Sequence, residues 1–143
     1  MARILAVDYG KKRTGLAVTD PLQIIASGLT TVETGKLMAF IKDYVARHEV
    51  EMIVVGLPRT VTGEYSDSFA YIAPFVERLK EQLPEVEVVY HDERFTTKMA
   101  MQSMIAAGAT RRQRNNKSGV VDMVSAAIIL QSFLDSRAMR EGQ

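Results

Sequence analysis

The sequence predicts an α/β protein, a mixed five-stranded sheet flanked by helices. Three observations carry that prediction. Short apolar runs such as Ile4-Leu5-Ala6-Val7 and Met52-Ile53-Val54-Val55 stop at polar or glycine-bearing turns, the pattern of strands buried on both faces. Longer stretches with apolar residues at helical spacing separate the later runs. The first two runs are joined by a tight turn, so they form an antiparallel hairpin, whereas strand, helix, strand is the signature of parallel neighbours.

In chain order, Ile4 to Val7 is the first strand and Thr14 to Thr19 the second, returning after a turn that contains Gly10. Asp20-Pro21 breaks the run, and Ile24 to Val32 supplies a third, edge strand diluted by Ser27, Gly28 and several threonines. From Lys36 to Arg47, Leu37, Phe40, Ile41, Tyr44 and Val45 recur at helical spacing, and a strand over Met52 to Val55 then ends at Gly56. Leu57 to Tyr65, with Pro58 and Gly63, reads as a loop at the carboxyl end of that strand. Ser68 to Leu83 is helical through Phe69, Ile72, Val76 and Leu79, with Pro74 placed to begin, kink or interrupt it. Val86 to Tyr90 is the fifth strand. Thr96 or Thr97 can cap a short helix that reaches Ala107, where Gly108 supplies a stop, and Val120 to Leu134 is the final helix, with an apolar stripe through Ala126, Ile129, Leu130 and Phe133.

The 143 residues suit one domain spanning 1–143, with a frayed tail expected from about Ser136. No apolar stretch approaches the roughly 18 residues of a membrane span, and no export signal opens the chain, so a cytoplasmic location is expected. The absence of cysteine excludes disulfides and thiolate metal sites. His48 and His91 lack a partner at metal-ligand spacing, so any metal must rest on oxygen, which favours magnesium or manganese. The net charge of +1 hides two basic clusters: Lys11-Lys12-Arg13, and the stretch Gly108 to Gly119 with Arg111, Arg112, Arg114 and Lys117 and no acid. Such clusters are either solvated loops or contacts to a polyanion; two of them in one short chain favour the second.

Asp8 ends the first strand inside Asp8-Tyr9-Gly10-Lys11-Lys12-Arg13-Thr14-Gly15, which puts a carboxylate on rigid backbone at the rim of the sheet. The plainer reading is that it opens a turn. Glu93, in His91-Asp92-Glu93-Arg94, follows the fifth strand to the same rim. Asp122 lies one helical turn before Ala126 and so falls in line with the buried stripe, where a charge costs several kcal/mol unless it is paired or binds a metal. An acid in a first helical turn also complements the helix dipole, but an exposed residue would serve that purpose equally well. Three carboxylates at one rim repel one another, and one or two divalent cations resolve that repulsion. The expected site is therefore Asp8, Glu93 and Asp122 as metal-binding and catalytic residues for phosphodiester cleavage. Lys12, Arg13, Arg94, Arg111, Arg112, Arg114 and Lys117 are expected to hold nucleic-acid phosphates.

The chain resembles the YqgF (RuvX) proteins, pre-16S ribosomal RNA nucleases related to Holliday-junction resolvases of the RuvC type. The resemblance rests on Val7-Asp8-Tyr9-Gly10 with Lys12-Arg13 and Gly15, on Val54-Val55-Gly56-Leu57-Pro58, on His91-Asp92-Glu93-Arg94, and on Asn116-Lys117 leading to Asp122 and Ser125-Ala126-Ala127-Ile128-Ile129-Leu130. It implies a ribonuclease-H-like fold, acidic site residues at Asp8, Glu93 and Asp122, and a role in processing the 5′ end of pre-16S rRNA as a monomer or weak homodimer. Departures are Lys11 where family members often carry threonine and Met99 where they often carry glutamate. RuvC-type resolvases also use a further acid one turn after the last one, and here Met123, Val124, Ser125 and Ala126 follow Asp122. Three alternatives remain open: a Holliday-junction resolvase acting on branched DNA in place of structured RNA, a phosphotransferase of the actin-like ATPase type, for which the chain has room for only one of two lobes, and a nucleic-acid-binding module without turnover.

Overall fold

The computed structural model describes residues 2–57, 69–92 and 119–141, with side chains in the final helix described from Asp122 to Ala138. Strands β1 (Arg3–Asp8), β2 (Arg13–Thr19), β3 (Ala26–Glu33), β4 (Val50–Leu57) and β5 (Glu87–Asp92) form one sheet in the order β3-β2-β1-β4-β5. β1–β2 and β2–β3 are antiparallel, and β1–β4 and β4–β5 are parallel. The mixed five-stranded sheet is thus as expected, and the carboxyl ends of β1, β4 and β5 share a rim. Helix α1 (Leu37–Arg47) follows a single 3-10 turn at Thr34–Lys36, α2 (Phe69–Gln82) carries Pro74 without ending there, and α3 is Gly119–Glu141. The short helix expected up to Ala107 and the basic loop as far as residue 118 lie outside the described residues.

Strand alternation sorts the core onto two faces. Leu5, Val7, Leu16, Val18, Ile53 and Val55 pack with Leu37 and Ile41 of α1 and Ile72, Phe75, Val76 and Leu79 of α2. Ile4, Ala6, Ala17 and Val54 face the other way, onto Ala126, Ile129, Leu130, Phe133 and Leu134 of α3. The second face is built of smaller residues. Besides Ala6 and Ala17 it presents Gly15 and Gly28, and α3 lies directly on them. A Cβ on Gly15 would collide with the Asp122 carbonyl oxygen and fall 2.9 Å from the Asp122 Cβ; one on Gly28 would lie 2.9 Å from Cγ of Met123. Small residues in β2 and β3 therefore set how closely the first turns of α3 approach the sheet.

Several boundaries differ from the sequence reading: β4 begins at Val50 and takes in Leu57, which was expected to open a loop, β5 runs on from Tyr90 to Asp92, and two further differences have causes visible in the structure. Ile24 and Ile25 precede β3 instead of opening it, because Asp20 Oδ1 accepts both of their backbone N–H groups at 2.8 Å and Oδ2 accepts that of Leu22 at 3.2 Å. These bonds, led by that from Ile25, hold the Asp20 carboxyl below its ordinary range. Gln23 sits in the left-handed region at φ 60°. The final helix continues to Glu141, past Ser136 where the frayed tail was expected. The physical reason is long-range anchoring: Arg137 lies over the Phe133 ring, 5.8 Å from its centroid, and donates to Gln23 Oε1 at 2.6 Å.

Gly15→Ala is expected to destabilise the protein by about 1–3 kcal/mol, the scale of overpacking against backbone. Gly28→Ala should cost less, since a flexible methionine side chain can move aside. Urea denaturation of both variants checks the ranking.

Candidate active site at the carboxyl rim of the sheet

β1 delivers Asp8 to the rim, and its partner across the β1–β2 ladder is Gly15. Directly paired residues project to the same face of a sheet. For Asp8 and Gly15 that is the face covered by α3, since Ala6 and Ala17 lie on it. The backbone of Asp122 rests on Gly15, so Asp8 and Asp122 come together across a position that carries no side chain. The Asp8 carboxyl is pushed up from 3.8 to about 7, first by burial and second by the negative charge of Asp122. Asp122 itself is half-buried, its side chain 30% exposed. It stands in the first turn of α3, so the dipole role and the inward placement coincide.

Arg13 lies two residues before Gly15 on β2 and thus shares its face. Its Nε donates to Asp122 Oδ2 at 3.4 Å. Lys11 and Lys12 occupy the exposed turn between β1 and β2. Lys11 lies over the Tyr71 ring, 5.2 Å from its centroid, on the side where Tyr9 packs against Tyr71 and Phe75. The sequence-predicted set is thus partly assembled in view: Asp8, Asp122 and Arg13 converge, and Lys12 stands on the adjoining turn. Glu93, Arg94, Arg111, Arg112, Arg114 and Lys117 lie outside the described residues. β5 ends at Asp92, paired with Leu57 on the shared rim, one residue before Glu93. His91 is turned to α3, where its Nε2 meets Ser132 Oγ at 2.9 Å and its ring abuts Phe133 edge-on, a packing role.

Thr14 and Thr34 were not singled out in the sequence, yet they fix the turn beside Asp8. Thr34 Oγ1 donates its single proton to the Gly10 carbonyl at 2.5 Å, so in the 2.9 Å contact with Thr14 Oγ1 it must accept. Thr14 Oγ1 in turn accepts the Gly10 N–H at 3.4 Å, and the ring closes on one glycine. The Thr34 N–H also donates to the Lys12 carbonyl at 2.9 Å. The available signal was Thr14 itself: it is fully buried and lies two residues before Leu16 on the core stripe of β2, a polar residue in an apolar row.

The donor set suits a hard dication. It offers carboxylate oxygen only, and one carboxyl cannot ionise easily beside the other until a positive charge arrives. Among the described residues two carboxylates meet here and no group of three forms.

A family model described as "RuvX: Holliday junction resolvase" matches residues 2–136 of the chain. A Porphyromonas gingivalis protein described as "Putative pre-16S rRNA nuclease" is 54% identical over 136 residues, covering 95% of this chain and 98% of the relative. A Bacteroides fragilis protein of the same description is 50% identical over 139 residues, covering 97% of this chain and 100% of the relative. Among solved structures, Thermus thermophilus RuvC in complex with Holliday junction substrate aligns with a TM-score of 0.59 at 16% identity over 97% of each chain. That likeness is one of fold, and the fold is ribonuclease-H-like.

The raised Asp8 carboxyl fixes the sign of the pH dependence. Between pH 3.8 and about 7 the unfolded chain has released this proton while the folded chain keeps it. Metal-free stability should therefore fall as pH rises through that window and level off above it. Asp8→Asn should remove this component and be more stable than wild type at pH 8 in EDTA by about 1–3 kcal/mol, a tenfold change in proton affinity being worth ~1.4 kcal/mol before solvent screening. Urea titrations from pH 5 to 8 check both statements.

Proposed function

The chain belongs to the RuvX family, and from that membership and the geometry of the rim we propose that it is a metal-dependent nuclease hydrolysing phosphodiester bonds in processing of the 5′ end of pre-16S ribosomal RNA. The observation that carries the reading is the pair Asp8 and Asp122, forced together across Gly15 with Asp8 held near neutrality. A structural site gains nothing from two carboxylates in repulsion; a cation site does.

Asp8 and Asp122, joined by Glu93 from the segment after β5, would hold magnesium or manganese, as one or two ions. When bound, the metal supplies Lewis-acid polarisation of the phosphate and activation of water for in-line attack. The protein's own groups bind and orient. Lys12 on the exposed turn, Arg13 beside Asp122, and Arg94, Arg111, Arg112, Arg114 and Lys117 take the backbone phosphates, which makes affinity salt-dependent. The threonine ring holds the Gly10 turn and fixes where Lys12 stands relative to Asp8. We place the protein in the cytoplasm as a monomer or weak homodimer; no described helix is long and apolar enough to cross a membrane.

A second reading, cleavage of branched DNA, is favoured by the family description and by the fold shared with a junction-bound RuvC. Against it stands the turn after Asp122, where Met123, Val124, Ser125 and Ala126 supply no further acid and the last two are buried.

End-labelled structured RNA and a four-way DNA junction, each incubated with wild type or Asp8→Asn in magnesium, manganese or EDTA, separate these readings. Metal-dependent RNA products that fall at least ~100-fold in the variant are expected. Junction cleavage alone would select the second reading. Binding of both substrates without any metal-dependent product would overturn the nuclease assignment.

A further inference from the structure

Arg13 and a divalent cation have claims on the same carboxylate. The Arg13 Nε reaches Asp122 Oδ2 at 3.4 Å, and the side chains remain 34% and 30% exposed, so the pair is weak and open to exchange. Glu33, the partner of Arg13 across the β2–β3 ladder, has its carboxylate 3.7 Å from Lys36. The nearest ladder neighbour of Arg13 thus has another cation, and Asp122 is the anion that Arg13 serves. A cation seated on Asp122 would lie within a few ångströms of the guanidinium, where like charges repel. The same guanidinium stands at the rim to which the substrate's phosphates must come.

We propose that Arg13 is an exchangeable counter-ion: it neutralises Asp122 while the site lacks metal, and the arriving divalent cation displaces it from Asp122 toward the phosphate of the nucleic acid. This rests on the metal site of the proposed function and adds a consequence to it. Without nucleic acid, Arg13 opposes metal binding. With nucleic acid present, the displaced guanidinium has a new anion, so cation and substrate bind with positive coupling, each raising affinity for the other. Arg13 is in this sense a positioning residue whose partner changes with the state of the site.

The test is a titration of Mn²⁺ alone, with free ion read by electron paramagnetic resonance, at pH 8.5 on intact wild type, Arg13→Gln, Arg13→Lys and Asp8→Asn. Arg13→Gln should bind Mn²⁺ roughly 3–10-fold more tightly than wild type, from loss of both the competing pair and the repulsion. Arg13→Lys, which keeps the charge, should stay near wild type. A second arm measures the affinity of a short labelled RNA in EDTA and in Ca²⁺; the gain on adding metal should be several-fold smaller in Arg13→Gln than in wild type. Mn²⁺ binding that depends on Asp8 but is unchanged or weakened in Arg13→Gln would overturn the exchange while leaving the metal site standing. Wild type that binds no Mn²⁺, or binds it equally well as Asp8→Asn, would overturn the site and the exchange together.

Discussion

The contact on which this molecule turns is that of the first turn of α3 with Gly15. Helix backbone rests on strand backbone there, with no side chain between. Because Gly15 is paired to Asp8 in the ladder, the contact fixes the distance between a strand-end carboxylate and a helix-borne one. The rest of that face complies: Ala6 and Ala17 beneath the helix, Ala126 above, and Gly28 one strand further out keep the approach close along successive turns. The opposite face of the sheet uses leucine, valine, isoleucine and phenylalanine against α1 and α2 and has no comparable approach among the described residues. Small residues on one side and large on the other divide the face that brings Asp8 and Asp122 together from the face that buries the larger core.

The electrostatics follow from that contact. Burial opposes ionisation of Asp8, and Asp122 adds repulsion, so the pair as built does not carry two full negative charges comfortably. Arg13 relieves one member, from the strand position that shares the face of Gly15. The turn that carries the lysines is held separately, by the hydroxyls of Thr14 and Thr34 closing on Gly10 from the other side of β2. The two carboxylates and the turn that carries Lys11 and Lys12 are therefore positioned by two independent supports, helix packing for the first and a hydroxyl ring for the second. Rigid support of both is what a site for in-line chemistry requires.

Much of this was legible in the sequence where the signal is local. Buried strands announce themselves as apolar runs, and the helices α1, α2 and α3 as far as Leu134 as periodic stripes. That Asp8 and Asp122 reach one rim is legible from one argument each, strand-end placement and helical register, both of which depend only on neighbouring residues. What escaped depends on tertiary register. Gly15 reads as part of a glycine-bearing return into β2, and nothing nearby shows that a helix more than a hundred residues later will rest on it. The Arg13 to Asp122 pair and the Thr14 to Thr34 ring escaped for the same reason, spanning 109 and 20 residues. The helix beyond Ser136 was missed because its anchor, Gln23, belongs to a distant loop. Apolarity alone places Ile24 and Ile25 in a strand, but the side chain of Asp20 claims their N–H groups.

Whether the helix contact at Gly15 forces Asp8 and Asp122 into electrostatic conflict is best decided by titrating the Asp8 carboxyl carbon by NMR in metal-free protein, in wild type and in Asp122→Asn. The expected midpoint is near 7 in wild type, falling part of the way toward 3.8 in the variant, with the remainder due to burial. An ordinary carboxylate midpoint near 3.8 in wild type would contradict that conflict, as would a raised midpoint that the variant leaves unmoved.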